Sequence, residues 1–143
     1  MSTLLQIGKV AERTGLSVRT IRWYEETGLV VPSLRTEGGF RLYSEDDVTR
    51  LLAVKRMKPL GLSLEEMADF LVLLERTAAP TTLDDAALAE AAARLDEYAG
   101  QTGERIRKLE RDLANAHDLA QQLIERIGAT ATARAQSSKP TRG

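Results

Sequence analysis

The chain contains no cysteine and only one histidine, His117. The first absence removes disulfides, thiolate metal centres, iron–sulfur ligation and cysteine nucleophiles together. The second removes a histidine-based metal cluster within one chain, and no metal or cofactor is expected. Aromatic residues make up 4%, which suits a helical protein packed mainly through leucine and alanine. No run is long and apolar enough to span a bilayer, and the N-terminus lacks a signal-peptide pattern. The expectation is a soluble, cytoplasmic protein. Enzyme chemistry has little to work with. There is no carboxylate pair on a pocket-forming element, no nucleophile with a base nearby and no glycine loop leading into a helix.

What is present fits one compact domain with an extension, in 143 residues. The net charge of −1 hides an asymmetry. Residues 1–60 hold ten Lys/Arg against seven Asp/Glu, so +3, and residues 61–143 hold ten against fourteen, so −4. A mildly basic head on an acidic remainder agrees with a nucleic-acid-binding unit joined to one that does not bind.

The stretch 7–29 reads as two short helices with a tight turn. Val10 and Ala11 give the first an apolar side, and Gly15 stops it because glycine tolerates the left-handed conformation. Ser17 stands where an N-cap belongs. From Val18 the second helix turns Ile21 and Glu25 inward at helical spacing, and Gly28 closes it. Two helices joined by a short glycine-containing turn make a helix-turn-helix. Its free side carries Arg19, Thr20, Arg22, Trp23 and Glu26. Arginines three apart share a helix face, and arginine matches both guanine edges and phosphates. The same two arginines would also suit an ordinary solvated face.

Pro32 forbids continuation of the helix, and residues 35–39 read as a turn. Phe40-Arg41-Leu42-Tyr43 alternates as a strand would. Phe40 and Leu42 are expected to pack on the helices, with Arg41 and Tyr43 pointing outward together toward phosphate oxygens. The result is a wing spanning about 30–43, although a plain exposed hairpin has the same pattern. Ser44 caps the next helix, with three acids in its first turn. Val48, Leu51, Leu52 and Met57 form its stripe, and residues 59–61 break it. Ser63 and Glu66 form a capping box for a fourth helix bearing Leu64, Met67, Ala68, Leu71 and Leu74. Met57 and Met67 are read as core.

After a linker at 76–83, residues 84–127 carry a seven-residue repeat. Leu88, Leu95, Thr102, Leu109, Ala116 and Leu123 occupy one position. Ala92, Ala99, Ile106, Leu113, Ala120 and Ile127 occupy the other. Six such heptads make a coiled-coil seam. Its outer charges are read as solvated, and Gly100 and Gly103 as a bend or a frayed start. A lone amphipathic rod cannot cover its own seam, so pairing with a second copy is expected to bury Leu95, Ile106, Leu109, Leu113, Ala116, Ala120, Leu123 and Ile127. Residues 128–143 are expected to be disordered.

These residues together resemble the MerR family of bacterial transcription regulators. The resemblance rests on Ile7-Gly8-Lys9-Val10-Ala11, Thr20-Ile21-Arg22-Trp23-Tyr24-Glu25 and Gly28-Leu29. Gly39-Phe40-Arg41-Leu42-Tyr43 and the joint from Leu60 to Glu66 complete it, so that residues 6–75 match in register. It implies a mostly α fold, a winged helix-turn-helix followed by a long antiparallel dimerisation coil. It also implies a homodimer on an inverted-repeat DNA operator between promoter elements read by RNA polymerase, with the spacer bent and untwisted. The implied DNA-binding residues are Ser17, Arg19, Thr20, Arg22, Trp23, Tyr24, Arg41, Tyr43 and Lys58. Three departures stand out. Trp23 replaces a usual tyrosine, as Phe40 does on the wing. The metal-binding cysteines of sensing members are missing. No folded ligand domain is expected after the coil. A hydrophobic effector would have a crevice lined by Phe70, Leu73, Leu74 and Tyr98, although plain interdomain packing explains those residues as well. The alternatives are a constitutive repressor without effector, or a coiled-coil interaction module whose basic head is incidental.

Overall fold

The computed structural model describes residues 3–138 and 140. It is mostly helical, with one small sheet. Chain contacts divide it into a unit ending at Glu97 and a second beginning at Tyr98.

The first unit starts with two extended residues, Leu5–Gln6 (β1), which run directly into α1 (Ile7–Thr14). Gly15 ends α1 at φ 74°. Lys55 Nζ donates to the Thr14 carbonyl at 2.7 Å, and a Cβ on Gly15 would stand 2.8 Å from that nitrogen. The left-handed backbone angle therefore calls for glycine, and an added Cβ would also push the Lys55 ammonium away from that carbonyl. Ser17 opens α2 (Val18–Glu26), its Oγ accepting from the Thr20 N–H at 3.0 Å. Gly28 follows at φ 76°, and the wing is β2 (Leu34–Arg35) and β3 (Arg41–Tyr43).

All three strands pair antiparallel with β3 in the centre. Leu5 stands opposite Tyr43, and Arg35 opposite Arg41. The sequence shows no sign of β1. Two residues are too few for any alternation to register, and only the pairing with β3 defines the strand.

Ser44 then opens α3 (Glu45–Met57), a single 3-10 turn spans Lys58–Leu60, and Ser63 opens α4 (Leu64–Thr77). Both serines form reciprocal capping boxes, with Asp47 and Glu66 as the third helical residues. Asp47 does more than cap. It is 1% exposed. Its Oδ2 accepts from the N–H of Ser44 at 2.9 Å and from the N–H and hydroxyl of Ser33 at 3.0 and 2.6 Å. Arg50 Nη1 donates to Oδ1 at 3.0 Å. One buried carboxylate thus satisfies its lone pairs and ties the end of the α2–β2 loop to α3. Beneath it, Val10, Ile21, Tyr24, Tyr43, Leu51 and Val54 form the solvent-free centre of the core. Met57 and Met67 are buried there too.

Asp84 caps α5 (Asp85–Ser137), accepting from the Ala87 N–H at 2.8 Å. Gly100 and Gly103 lie inside this helix without ending it. The disordered tail expected from residue 128 is a correction, because the helix continues ten residues past Ile127. Alanine has the highest helix propensity. Thr130 and Thr132 donate their hydroxyls to the Arg126 and Gly128 carbonyls at 2.7 and 3.0 Å, removing their competition with the backbone. Residues 139 and 141–143 of that expected tail lie outside the described residues. In the second unit Thr102 behaves similarly, donating to the Tyr98 carbonyl at 2.8 Å. The one polar seam residue is satisfied within its own helix.

Candidate nucleic-acid interface

The free side of α2 carries Arg19, Arg22 and Trp23 into solvent, with Thr20 half-buried beside Ser17. The Ser17 hydroxyl donates to Thr20 Oγ1 at 2.8 Å, which holds the start of the helix rigid. Arg19 and Arg22 have no protein partner among the described residues, so all five donors of each guanidinium are available. Trp23 is 42% exposed, and Lys58 Nζ lies 5.8 Å from its ring centroid. That cation–π contact places the turn after α3 beside α2 and adds a third positive group to the face.

Tyr24 is not part of that face. It is fully buried, with its ring tilted 56° against Trp23 at 5.3 Å. One residue further along a helix is about 100° further round, which takes Tyr24 to the inner side with Ile21. Burial raises its phenol pKa above the ordinary tyrosine value.

The wing inverts the expected facing of β3. Phe40 is 67% exposed and Tyr43 is fully buried, whereas Phe40 was expected inside and Tyr43 outside. The reason lies in Glu25. Its side chain is only 11% exposed. Its Oε1 accepts from Arg35 Nη2 and its Oε2 from Arg41 Nε, one oxygen for each wing strand. Arg41 is therefore drawn onto α2, and Tyr43, two residues on and on the same strand face, enters the core. Burial first, and then the Glu25 charge, raise the Tyr43 phenol pKa. The bond from Glu25 holds the Arg41 guanidinium more firmly protonated than usual. Neither tyrosine hydroxyl finds a hydrogen-bond partner among the described residues.

Sequence reasoning did not single out Arg35, nor Glu25 as a partner. The signal was available, since an acid placed on the inward side of a helix requires a cation nearby.

The seam positions of the second unit, Ile106, Leu109, Leu113, Ala116, Ala120, Leu123 and Ile127, are all solvent-facing in one chain. Ile127 is 68% exposed. Leu95 lies in the first unit and is also partly exposed. Of the four crevice residues, Phe70, Leu73 and Leu74 lie on α4 in the first unit. Leu73 is buried beside Ala91 and Arg94 of α5. Leu74 instead lines an open groove between α3 and α4 with Ala53, Leu71 and Ala78. Consecutive helical residues point in different directions. Phe70 packs on the head core, and Tyr98 falls in the second unit. Among the described residues no cluster of His, Asp or Glu could hold a metal ion, and no helix is long and apolar enough to cross a membrane.

Residues 5–72 match the model of the MerR HTH family regulatory proteins. The heavy metal-dependent transcription regulator 2 of Rhizobium meliloti is 34% identical over 125 residues, 87% of this chain and 75% of that protein. This chain belongs to the MerR family. The Bacillus subtilis transcriptional regulator YfmP is 52% identical over 68 residues, 47% of this chain and 49% of YfmP. Several curated relatives are matched over about half of their length in the same way. Among solved structures, HiNmlR aligns with TM-score 0.60 and 24% identity over 95% of this chain and 97% of its own. It is described as a MerR family regulator lacking the sensor domain, bound to promoter DNA. At that identity the likeness concerns the fold, and it extends through the long helix. Set against the MerR pattern, Trp23 stands at an exposed position where its indole N–H is the only donor in place of a phenol.

Proposed function

We propose that this MerR chain is a DNA-binding transcription regulator that acts as a homodimer on an inverted-repeat operator. The observation that carries the reading is a pair of unopposed arginines on the exposed face of α2. Arg13, Arg35, Arg41, Arg50 and Arg94 each pair with a carboxylate. Arg19 and Arg22 have no partner among the described residues, as is true of Arg56 and Arg76, but they alone of these stand on the free side of the second helix of a helix-turn-helix. Two unopposed guanidiniums at helical spacing suit guanine edges and backbone phosphates in a major groove. Lys58 and Trp23 flank them as backbone contacts, with the wing reaching the adjacent phosphates.

The exposed leucine seam supports dimerisation, since covering it needs a second helix of the same length. Two heads held at one separation fix the spacing of half-sites they can grip. Deforming the duplex between those half-sites then alters the promoter geometry presented to RNA polymerase. None of this requires an effector. The direct test is selection of genomic fragments by the purified full chain, followed by titration against salt. The expected result is a palindromic fragment whose affinity falls steeply as salt rises, because phosphate contacts release counterions. Failure to enrich any duplex, or a flat salt response, would overturn the reading.

A further inference from the structure

Glu25 combines features that an incidental ion pair lacks. It is nearly buried, it sits on the same helix as Arg19 and Arg22, and each of its oxygens takes a different arginine from a different wing strand. Arg35 and Arg41 stand directly opposite each other in the β2–β3 register. Arg35 also donates Nη1 to the Gly39 carbonyl at 3.3 Å, which fastens it across the wing turn. Arg41 uses only Nε on Glu25, which leaves both of its terminal nitrogens without a partner among the described residues. About half of the Arg35 side chain remains exposed. The cluster contains two guanidiniums and one carboxylate, and so keeps a net positive charge.

We propose that Glu25 is a positioning residue for a two-arginine clamp on the wing, in which Arg35 and Arg41 together grip backbone phosphate. This rests on the DNA-binding reading above and adds two residues to it, Arg35 as a contact and Glu25 as its organiser. The physical argument is one of preorganisation. A free arginine side chain must give up much of its rotamer freedom to bind a phosphate. One already fixed by a carboxylate, with its remaining N–H groups directed to solvent, has made that adjustment in advance. Glu25 also joins the wing to α2, so the distance from clamp to reading helix is set by a single side chain. Removing its charge raises the net charge of the head by one, which by long-range attraction alone would strengthen binding to any duplex. Positioning and simple neutralisation therefore predict opposite signs.

The test uses the full chain and two duplexes of equal length, a fragment bound by the wild type and a scrambled sequence. E25Q should lose about tenfold in affinity for the bound fragment, roughly one charge-assisted phosphate bond, and should weaken on the scrambled duplex too, because a phosphate contact carries no sequence. R35A, an exposed position that leaves the core untouched, should lower the slope of log affinity against log salt by about one on both duplexes. In an R41A, R35A background, E25Q should weaken binding no further, and only the small gain from the lost negative charge should remain. E25Q binding the fragment as tightly as the wild type or tighter would overturn the positioning role. An unchanged salt slope in R35A would overturn the clamp. A wild type that binds neither duplex would refute the DNA-binding reading itself, a separate result visible before any variant is made.

Discussion

The two units of this chain solve opposite problems with the same kind of residue. In the head, a set of apolar side chains is covered and the inward acids are paired. Asp47 is buried under four donors, and Glu25 holds two arginines. In the rod beyond Glu97, leucine and isoleucine face solvent along one seam. The described ion pair there, Lys108 to Asp112 at 2.8 Å, is the ordinary helical kind four residues apart. The head has the makings of a unit that folds by itself. The rod has the makings of half an interface, and a helix of its kind gains stability chiefly by packing against another.

The sharpest way to break that contrast is to charge the seam. Ile106→Asp with Leu113→Asp should turn a dimer into a monomer by light scattering and lower the helix content of the rod. The head should keep its own unfolding transition. Operator affinity should fall at least about a hundredfold, since two linked heads bind far more tightly than one.

The next effect belongs to the head alone. Asp47→Ala leaves Arg50 without one of its two carboxylates and strands three donors around Ser33 and Ser44. Removing one side of a buried charged network should cost about 3 kcal/mol, read as a shifted urea midpoint at unchanged oligomeric state. A loss of that size with simultaneous dissociation would mean the units are not separable as described.

Arg22→Ala should cost about 2 kcal/mol in operator affinity and relax the base preference at one position of each half-site, with stability unchanged because the side chain has no partner among the described residues. Gly15→Ala should destabilise the head by about 1–2 kcal/mol through the left-handed backbone alone, before the contact with Lys55 is counted.

The smallest effect is electrostatic. Arg13 donates to both Glu45 oxygens, at 2.6 and 2.9 Å, and that bond holds the Glu45 carboxyl below the usual glutamate value. A depressed folded-state pKa contributes stability above the unfolded value and loses it as pH falls through the folded one. Wild type and Arg13→Ala should therefore differ slightly in melting temperature at neutral pH and converge in acid. The pair is exposed, so the difference should be small.

Features governed by local spacing were legible in the chain itself. Gly15, Ser17, Ser44 and Ser63 act on their immediate neighbours, so their positions reveal helix ends. The leucine repeat declares itself over 40-odd residues. What was not legible depends on distant partners. β1 exists only because β3 lies beside it. Phe40 and Tyr43 exchange faces because Glu25, on another element, draws Arg41 inward. Tyr24 looks like a second recognition aromatic in the string Trp23-Tyr24 and becomes core by a turn of one residue. The helix past Ile127 was missed for a different reason. Its Ala/Thr composition resembles a linker, yet alanine favours helix and the threonines bond back to their own carbonyls.

The central claim is that one seam joins two equal heads so that a single duplex is held at two points. The most direct measurement is the binding of the full chain to a selected operator and to versions with the half-sites moved apart by half a helical turn. Two chains per duplex on the native spacing, and loss of tight binding on the shifted one, are predicted. One chain per duplex, or equal affinity at both spacings, would contradict it.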